Sequence, residues 1–87
     1  MKDKVKAFRE SLTSDQMDRL REVLPDSTFD FFEKTISEDS WASGDRSGDV
    51  ERLVELLTAD PVLMIVKVRP IFSSRQEELL TEIFNEV

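Results

Sequence analysis

The 87-residue sequence contains no cysteine, no histidine and no tyrosine. Without cysteine the chain can form neither a disulfide bond nor a thiolate metal site, which favours a reducing, cytoplasmic location over a secreted one. Without histidine it cannot build a serine triad, a cysteine–histidine dyad, a histidine-ligated metal site or an imidazole acid–base catalyst. These absences predict a protein that is not an enzyme and that uses no metal and no cofactor.

Glycine and proline are also scarce, with two and three residues respectively. A many-stranded sandwich or barrel needs a turn signal about every 8–12 residues, so these folds are disfavoured. Both glycines lie in Ser43-Gly44-Asp45-Arg46-Ser47-Gly48, which lacks the lysine and the preceding strand of a phosphate-binding loop. The longest apolar run, Val62–Val66, is far shorter than the roughly 20 residues that span a bilayer. We therefore expect one soluble domain over residues 1–87, without a membrane segment.

The charge is strongly negative and unevenly distributed. The formal net charge is −7, and residues 13–60 alone carry thirteen acidic and five basic side chains. An acidic domain is repelled by phosphate backbones, because nucleic-acid affinity comes largely from Lys and Arg displacing counterions. Direct nucleic-acid binding is therefore not expected. The acidic surface either steers the protein to a basic partner or only keeps it in solution, and both interpretations stay open.

Helical periodicity and capping signals predict an all-α fold, a compact bundle of five to six short helices. Capping boxes are expected at Thr13-Ser14-Asp15-Gln16 and at Ser74-Arg75-Gln76-Glu77. Asp39–Gly48 is predicted to be the one real loop. The expected helices cover about Lys2–Glu10, Thr13 to Pro25, Thr28–Glu38 (with Asp26-Ser27 as cap), Asp49–Ala59 and Arg75–Val87.

Residues 61–69 allow two interpretations. Val62–Val68 is rich in β-branched residues, which favours a buried strand. However, Asp60-Pro61 is a good helix start, with Asp as N-cap and Pro at the first helical position. Because no second strand candidate exists to pair with a lone strand, we prefer a short central helix that is apolar all round and ends before Pro70. The alternative is an α+β fold with one strand near residues 62–68.

Two aromatic residues, Phe31 and Trp41, are not readily placed in a single hydrophobic core. On a helix, Phe31 points away from the stripe formed by Phe29, Phe32 and Ile36, so its helix is either sandwiched between two layers or leaves Phe31 exposed. Trp41 lies among acidic residues and is either a lid on the core or a binding hot spot suited to a basic groove. The predicted partner-binding residues are Phe31, Glu38, Asp39, Trp41, Asp45 and Asp49.

Two short resemblances to known families suggest other functions. Asp26-Ser27-Thr28 resembles the Asp-Ser-Leu attachment site of acyl carrier proteins, with Thr28 in place of leucine, which implies a modified Ser27. An ordinary helix N-cap is the preferred interpretation of these three residues. The number of short helices in under ninety residues resembles the death-fold superfamily, which implies self-association, here through Phe31 or Trp41.

The favoured hypothesis is an acidic, non-enzymatic interaction protein that docks on a basic surface of a larger protein. Such a protein would be an inhibitor, an immunity factor or an adaptor, and small phage-encoded anti-defence proteins are similar in composition. A self-associating helical module is the first alternative, and an acyl-carrier-like protein is the second.

Overall fold

The structure is a computed structural model, and it describes residues 1–86. The predicted all-α fold is confirmed, since these residues form helices joined by short connections and no strand. The elements, in chain order, are α1 (Lys2–Ser11), α2 (Ser14–Val23), α3 (Asp26–Ile36), α4 (Glu38–Ala42), α5 (Ser47–Thr58), a π-helix (Leu63–Val68), a 3-10 turn (Arg69–Ile71) and α6 (Ser74–Asn85). Val87, the last residue of the predicted final helix, lies outside the described residues.

Both predicted capping boxes exist, but one is displaced by a residue. In α2, the Gln16 N–H donates to Thr13 Oγ1 at 3.1 Å and the Thr13 N–H donates to Gln16 Oε1 at 3.0 Å, as predicted. In α6, the box joins Ser73 and Gln76 instead of Ser74 and Glu77. The Gln76 side chain is buried. Its neutral amide can form hydrogen bonds there, whereas an ionised Glu77 in the same place would carry a large desolvation cost.

The two capping glutamines also bind each other. Gln16 Nε2 donates to Gln76 Oε1 at 2.7 Å, and Gln76 Nε2 donates to Gln16 Oε1 at 3.0 Å. Gln76, which is only 3% exposed, also donates to the Ser11 carbonyl at 2.8 Å, while Gln16 donates to the Ile71 carbonyl at 3.0 Å. One satisfied polar network thus fixes the starts of α2 and α6 against the end of α1.

The hydrophobic core lies around α3, which packs against α1, α2, α4 and α5, while α1 also packs along α6. Phe8 makes edge-on aromatic contacts with Phe32 and Phe72, at centroid distances of 6.5 and 5.5 Å. The buried apolar residues are Val5, Phe8, Leu20, Leu24, Phe29, Phe32, Ile36, Trp41, Val50, Leu53, Leu57, Val68, Phe72, Leu79, Leu80 and Ile83.

The start of α3 differs from the prediction. The helix begins at Asp26, its N-cap is Pro25, and no side chain caps it. The predicted Asp26-Ser27 cap is therefore wrong, because both residues already lie in the first turn. An acidic residue is favourable there, since the amide groups of a helix start carry partial positive charge.

The predicted loop over Asp39–Gly48 is also partly wrong. Ser37 ends α3 and caps α4, with its Oγ accepting the Ser40 N–H at 3.3 Å. The helix Glu38–Ala42 therefore occupies the first half of the expected loop, and α5 begins at Ser47. The remaining turn contains Gly44, whose φ of +154° is a conformation that residues with a side chain rarely adopt.

The ambiguous segment is helical. Asp60 caps it as predicted, with its carboxylate accepting the Leu63 N–H at 3.1 Å. The Arg69 N–H donates to the Met64 carbonyl, five residues back, which is the π-helical spacing. The π-helix ends at Val68, before Pro70, as expected. The chain then continues into a 3-10 turn, where Pro70 lies near the start and needs no N–H donor.

The expected central position of this helix is wrong, because Val62, Ile65 and Val66 lie at the surface. Among the described residues, no helix is both long and apolar enough to cross a membrane.

Candidate protein-binding surface

An apolar face lies on the outside of the π-helix and the turn that leads into it. Val62, Ile65 and Val66 are 67%, 57% and 61% exposed, and they are the large hydrophobic residues exposed among residues 1–86. Single exposed hydrophobic residues are common on protein surfaces, but a group of them marks an interaction site more often. We call these three residues the 62–66 face.

The 62–66 face points outward because the opposite side of the same segment is already used. Val68 is only 2% exposed, and Leu63 and Met64 pack against the core. The segment lies against α2 and α5. A helix held this way normally carries polar residues on its outer side, but this one carries valine and isoleucine there. Its π geometry is rare, and π-helical turns occur frequently at functional sites.

A groove lies between this segment and α6. It has a volume of about 270 Å³, and its apolar lining residues are Met64, Leu80 and Phe84. Arg69, Glu77 and Thr81 form its polar lining. Met64 and the 62–66 face belong to the same segment, so the groove and the face adjoin along the chain, although Val62, Ile65 and Val66 do not line the groove.

Ion pairs use most of the charge beside the groove. Arg69 Nε lies 3.4 Å from Glu77 Oε1, and Arg75 Nη1 lies 3.2 Å from Glu78 Oε2. Glu82 is exposed on α6 and forms no ion pair with any described residue. Glu82 lines a neighbouring cleft together with Arg69, Glu77 and Thr81, three residues that also line the groove, so a free carboxylate lies next to the groove on α6.

The π-helix side carries the opposite charge. Lys67 is exposed and forms no salt bridge within residues 1–86. Within the described residues, the unpaired charges of these two segments are therefore a carboxylate on α6 and an ammonium group on the π-helix.

Trp41 is not an exposed anchor. It is 5% exposed, and its indole Nε1 donates to the Thr35 carbonyl at 2.7 Å. The short helix α4 turns the chain back so that the ring closes over the core, which is the lid alternative. Little of the ring is available to a partner in this conformation, and a role of Trp41 in binding stays a prediction.

The surface around Trp41 is mixed in charge and does not form an acidic ring. The surface cleft beside Trp41 is lined by Lys2, Lys6 and Arg9, with Glu38 as its acidic residue. These bases are present because α1 packs beside the end of α3, where Arg9 Nη1 donates to the Ile36 carbonyl at 2.7 Å. Distant parts of the sequence therefore neutralise much of the predicted acidic site.

The predicted acidic residues lie at or near helix starts. Glu38 and Asp39 are exposed in the first turn of α4, and Asp49 is half-buried in the first turn of α5. Asp45 precedes α5 and accepts hydrogen bonds from the Ser47 hydroxyl at 2.7 Å and the Ser47 N–H at 3.1 Å. These hydrogen bonds hold the pKa of the Asp45 carboxyl below its ordinary value of 3.8.

Phe31 is half-buried and packs against the core. Its helix, α3, has neighbours on several sides, as the sandwich alternative requires. Ser27, the residue to which the acyl-carrier resemblance points, is exposed in the first turn of α3. Neither residue lines the groove between the π-helix and α6.

Comparison with known proteins assigns no relative. No protein-family model, no curated protein and no solved structure matches the chain. The functional interpretation therefore depends on the residues of the surface itself.

The sequence contained a signal for the 62–66 face that periodicity alone did not reveal. The run Val62–Val66 is short, follows Pro61 and is followed by Lys67 and Arg69. A domain of this size buries only about 60% of its unfolded surface, so it cannot readily enclose a helix that is apolar on every side. An apolar run next to charged residues in so small a domain is thus a candidate for exposure.

Proposed function

We propose that this chain is a non-enzymatic binding protein that docks on another protein through the 62–66 face and the adjacent groove. The observation that carries the proposal is the exposure of Val62, Ile65 and Val66 on one segment. The net charge of −7 favours a partner with a basic surface. An inhibitor or an adaptor of a larger protein has these properties.

The size of the apolar face limits how it acts. Fully burying a Val or Ile side chain contributes about 1.5–3 kcal/mol, so three side chains that are a little over half exposed contribute about 3–5 kcal/mol. Micromolar affinity requires about 8 kcal/mol after the cost of association. The partner must therefore also contact the groove, and the three residues act as the centre of a larger interface.

The acidic charge has a different role, which is to accelerate encounter. Complementary charge mainly raises the association rate, and salt screens this effect. Reversing the charges of Glu38, Asp39, Asp45 and Asp49 together is expected to slow association with a basic partner, whereas each reversal alone should change it less than about twofold. Substitutions in the 62–66 face are expected to raise the dissociation rate.

Photo-crosslinking in the native host tests the proposal. A benzophenone amino acid is placed at residue 65, and in a matched variant at residue 45, which lies in an exposed turn. We expect position 65, and not position 45, to give a conjugate with another protein. That protein, once identified and purified, should bind Ile65→Asp about tenfold more weakly than the unmodified chain, which corresponds to about 1.4 kcal/mol.

Two results would contradict the proposal. Equal affinity of the purified partner for the unmodified chain, Ile65→Asp and Val66→Asp would show that binding takes place elsewhere. Conjugates that contain only this chain would instead support a second candidate function.

That second candidate is self-association through the same apolar face, as a helical interaction module. Exposed hydrophobic residues favour it, whereas a net charge of −7 on each copy opposes it. Sedimentation over a hundredfold range of concentration distinguishes the two. A dimer that the Ile65→Asp substitution converts to a monomer would establish self-association. A protein that remains monomeric over the whole concentration range would exclude it.

A further inference from the structure

The groove beside the 62–66 face fits the side chains of a protein better than a small molecule. Its volume of about 270 Å³ lies below the range of about 300–1,000 Å³ that is typical of small-molecule pockets, and it is open to solvent. Met64, Leu80 and Phe84 form its apolar lining, and its two charged residues, Arg69 and Glu77, already pair with each other. Methionine adapts its shape to inserted side chains, as on other helix-binding surfaces.

We propose that the occupant is an amphipathic helix of the partner protein, with Lys or Arg along the flank that faces α6. This inference depends on the proposed binding function and specifies the partner. The apolar side of the helix, spaced i, i+3 or i+4, and i+7, inserts into the groove and covers the 62–66 face.

A helix fits the site better than an extended strand. Strand addition needs an exposed sheet edge, and residues 1–86 contain no strand. The site consists instead of side chains from two helices, with Met64 from the π-helix and Leu80 and Phe84 from α6 as its apolar lining. Binding of a helix in a groove uses side-chain contacts only, which this surface can supply.

A free charge orients the occupant. Because Arg69 and Arg75 already pair with Glu77 and Glu78, Glu82 is the free charge on the α6 side. A basic residue on that flank of the bound helix meets Glu82.

A second copy of this chain is a less suitable occupant. Each copy carries a net charge of −7, and two copies approach against that repulsion. A basic helix approaches with attraction instead. The overall charge and the free Glu82 thus favour the same partner chemistry.

Selection from a displayed library of helical peptides tests the inference on the full chain. We expect the selected peptides to be amphipathic, with Lys or Arg on one flank. In ¹⁵N-labelled protein, a synthetic copy of a selected peptide should shift the amide signals of residues 62–66 and 77–84. Selected peptides that lack a basic flank, that shift signals elsewhere, or that do not emerge at all would overturn the inference.

Two matched charge reversals localise the contact. Glu82→Lys and Asp39→Lys make the same chemical change at exposed sites on different helices. We expect Glu82→Lys to weaken peptide binding about threefold to tenfold and Asp39→Lys to weaken it less than about twofold. The reverse order would place the basic flank beside α4 and overturn the inference, and circular dichroism verifies that both variants are folded.

The two proposals fail in different ways. If the partner captured in the host loses affinity for Ile65→Asp but contacts the face without a basic helix, only the inference about the helix is wrong. If the captured partner is indifferent to Ile65→Asp, the proposed function is wrong as well.

Discussion

Trp41 and Ile65 lie in two segments whose composition and burial are opposed. Trp41 is surrounded in sequence by serine and acidic residues, yet it is 5% exposed. Ile65 is surrounded by valine, methionine and leucine, yet it is 57% exposed. The flanking sequence alone would therefore predict an exposed Trp41 and a buried Ile65.

The difference shows that the burial of Trp41 and Ile65 depends on whether the folded core offers a place for each side chain. It depends less on the composition of the flanking sequence. The Trp41 ring has a position on the core because Ser37 caps α4 and because the Thr35 carbonyl accepts the indole N–H. Ile65 has no such position, because Val68 and its neighbours already occupy the inner side of the segment. The first region is consequently packed on the core, and the second is exposed.

The largest expected effect comes from removing the buried ring. Trp41→Ala should lower the free energy of unfolding by about 3–5 kcal/mol, because it deletes a buried aromatic side chain and leaves a cavity. Trp41→Phe keeps most of the packing and should cost about 1–3 kcal/mol, since it leaves the Thr35 carbonyl without its donor. Urea denaturation followed by circular dichroism measures both. A loss below about 0.5 kcal/mol for Trp41→Ala would mean that the ring is at the surface.

The same substitution on the two sides of the π-helix sharpens the comparison. Val68→Ala should lower the free energy of unfolding by about 2 kcal/mol, because Val68 is buried. Val66→Ala, two residues away, should change it by less than about 0.5 kcal/mol, because Val66 is exposed. Denaturation of the two variants under identical conditions provides the test. Equal losses would show that the 62–66 face is covered in the free protein.

A third substitution separates the two polar groups of Thr35. Its carbonyl accepts the Trp41 indole, but its buried Oγ1 has no hydrogen-bond partner among the described residues. Thr35→Val keeps the shape and removes the unpaired hydroxyl, so it should raise the free energy of unfolding by about 1 kcal/mol. Thermal denaturation measures the change, with Thr35→Ala as a control that opens a cavity. A lower stability for Thr35→Val would show that the hydroxyl is satisfied in the folded protein.

The smallest effect concerns the carboxylate that precedes α5. Because hydrogen bonds from Ser47 lower the pKa of Asp45 in the folded protein, its stabilising contribution is present above the ordinary value of 3.8 and is lost as the pH falls through the lower folded pKa. Ser47→Ala removes the hydroxyl donor and should move the Asp45 pKa back toward 3.8. A ¹³C NMR titration of the carboxyl group gives both values. An unchanged pKa would mean that the hydroxyl does not bind this carboxylate.

The fold was largely predictable from local signals. The Thr13–Gln16 box, the Asp60-Pro61 start and the apolar stripe of α5 each act over a few residues, and each produces the expected helix. Around Ser73 and Ser74 the sequence offers two capping boxes one residue apart, Ser73–Gln76 and Ser74–Glu77. Local sequence does not decide between them, because Gln76 also pairs with Gln16, sixty residues away.

The candidate site was less predictable, because it depends on which faces remain after packing. Acidic residues near Trp41 suggested a charged ring, but Lys2, Lys6 and Arg9 come to the same surface from α1. The apolar run at Val62–Val66 suggested a central helix, but α2 and α5 cover only one side of it. The mixed charge around Trp41 and the exposure of the 62–66 face both depend on contacts between segments that are distant in sequence.

The exposure of the 62–66 face in the free protein is the claim on which the account depends. NMR of methyl-labelled protein, with a soluble gadolinium chelate as paramagnetic probe, measures it directly. We predict strong broadening of the methyl signals of Val62, Ile65 and Val66, no broadening of those of Val68, and none of the Trp41 indole signal. Methyl groups of Val62, Ile65 and Val66 that are as protected as those of Val68 in a dilute monomer would contradict the account.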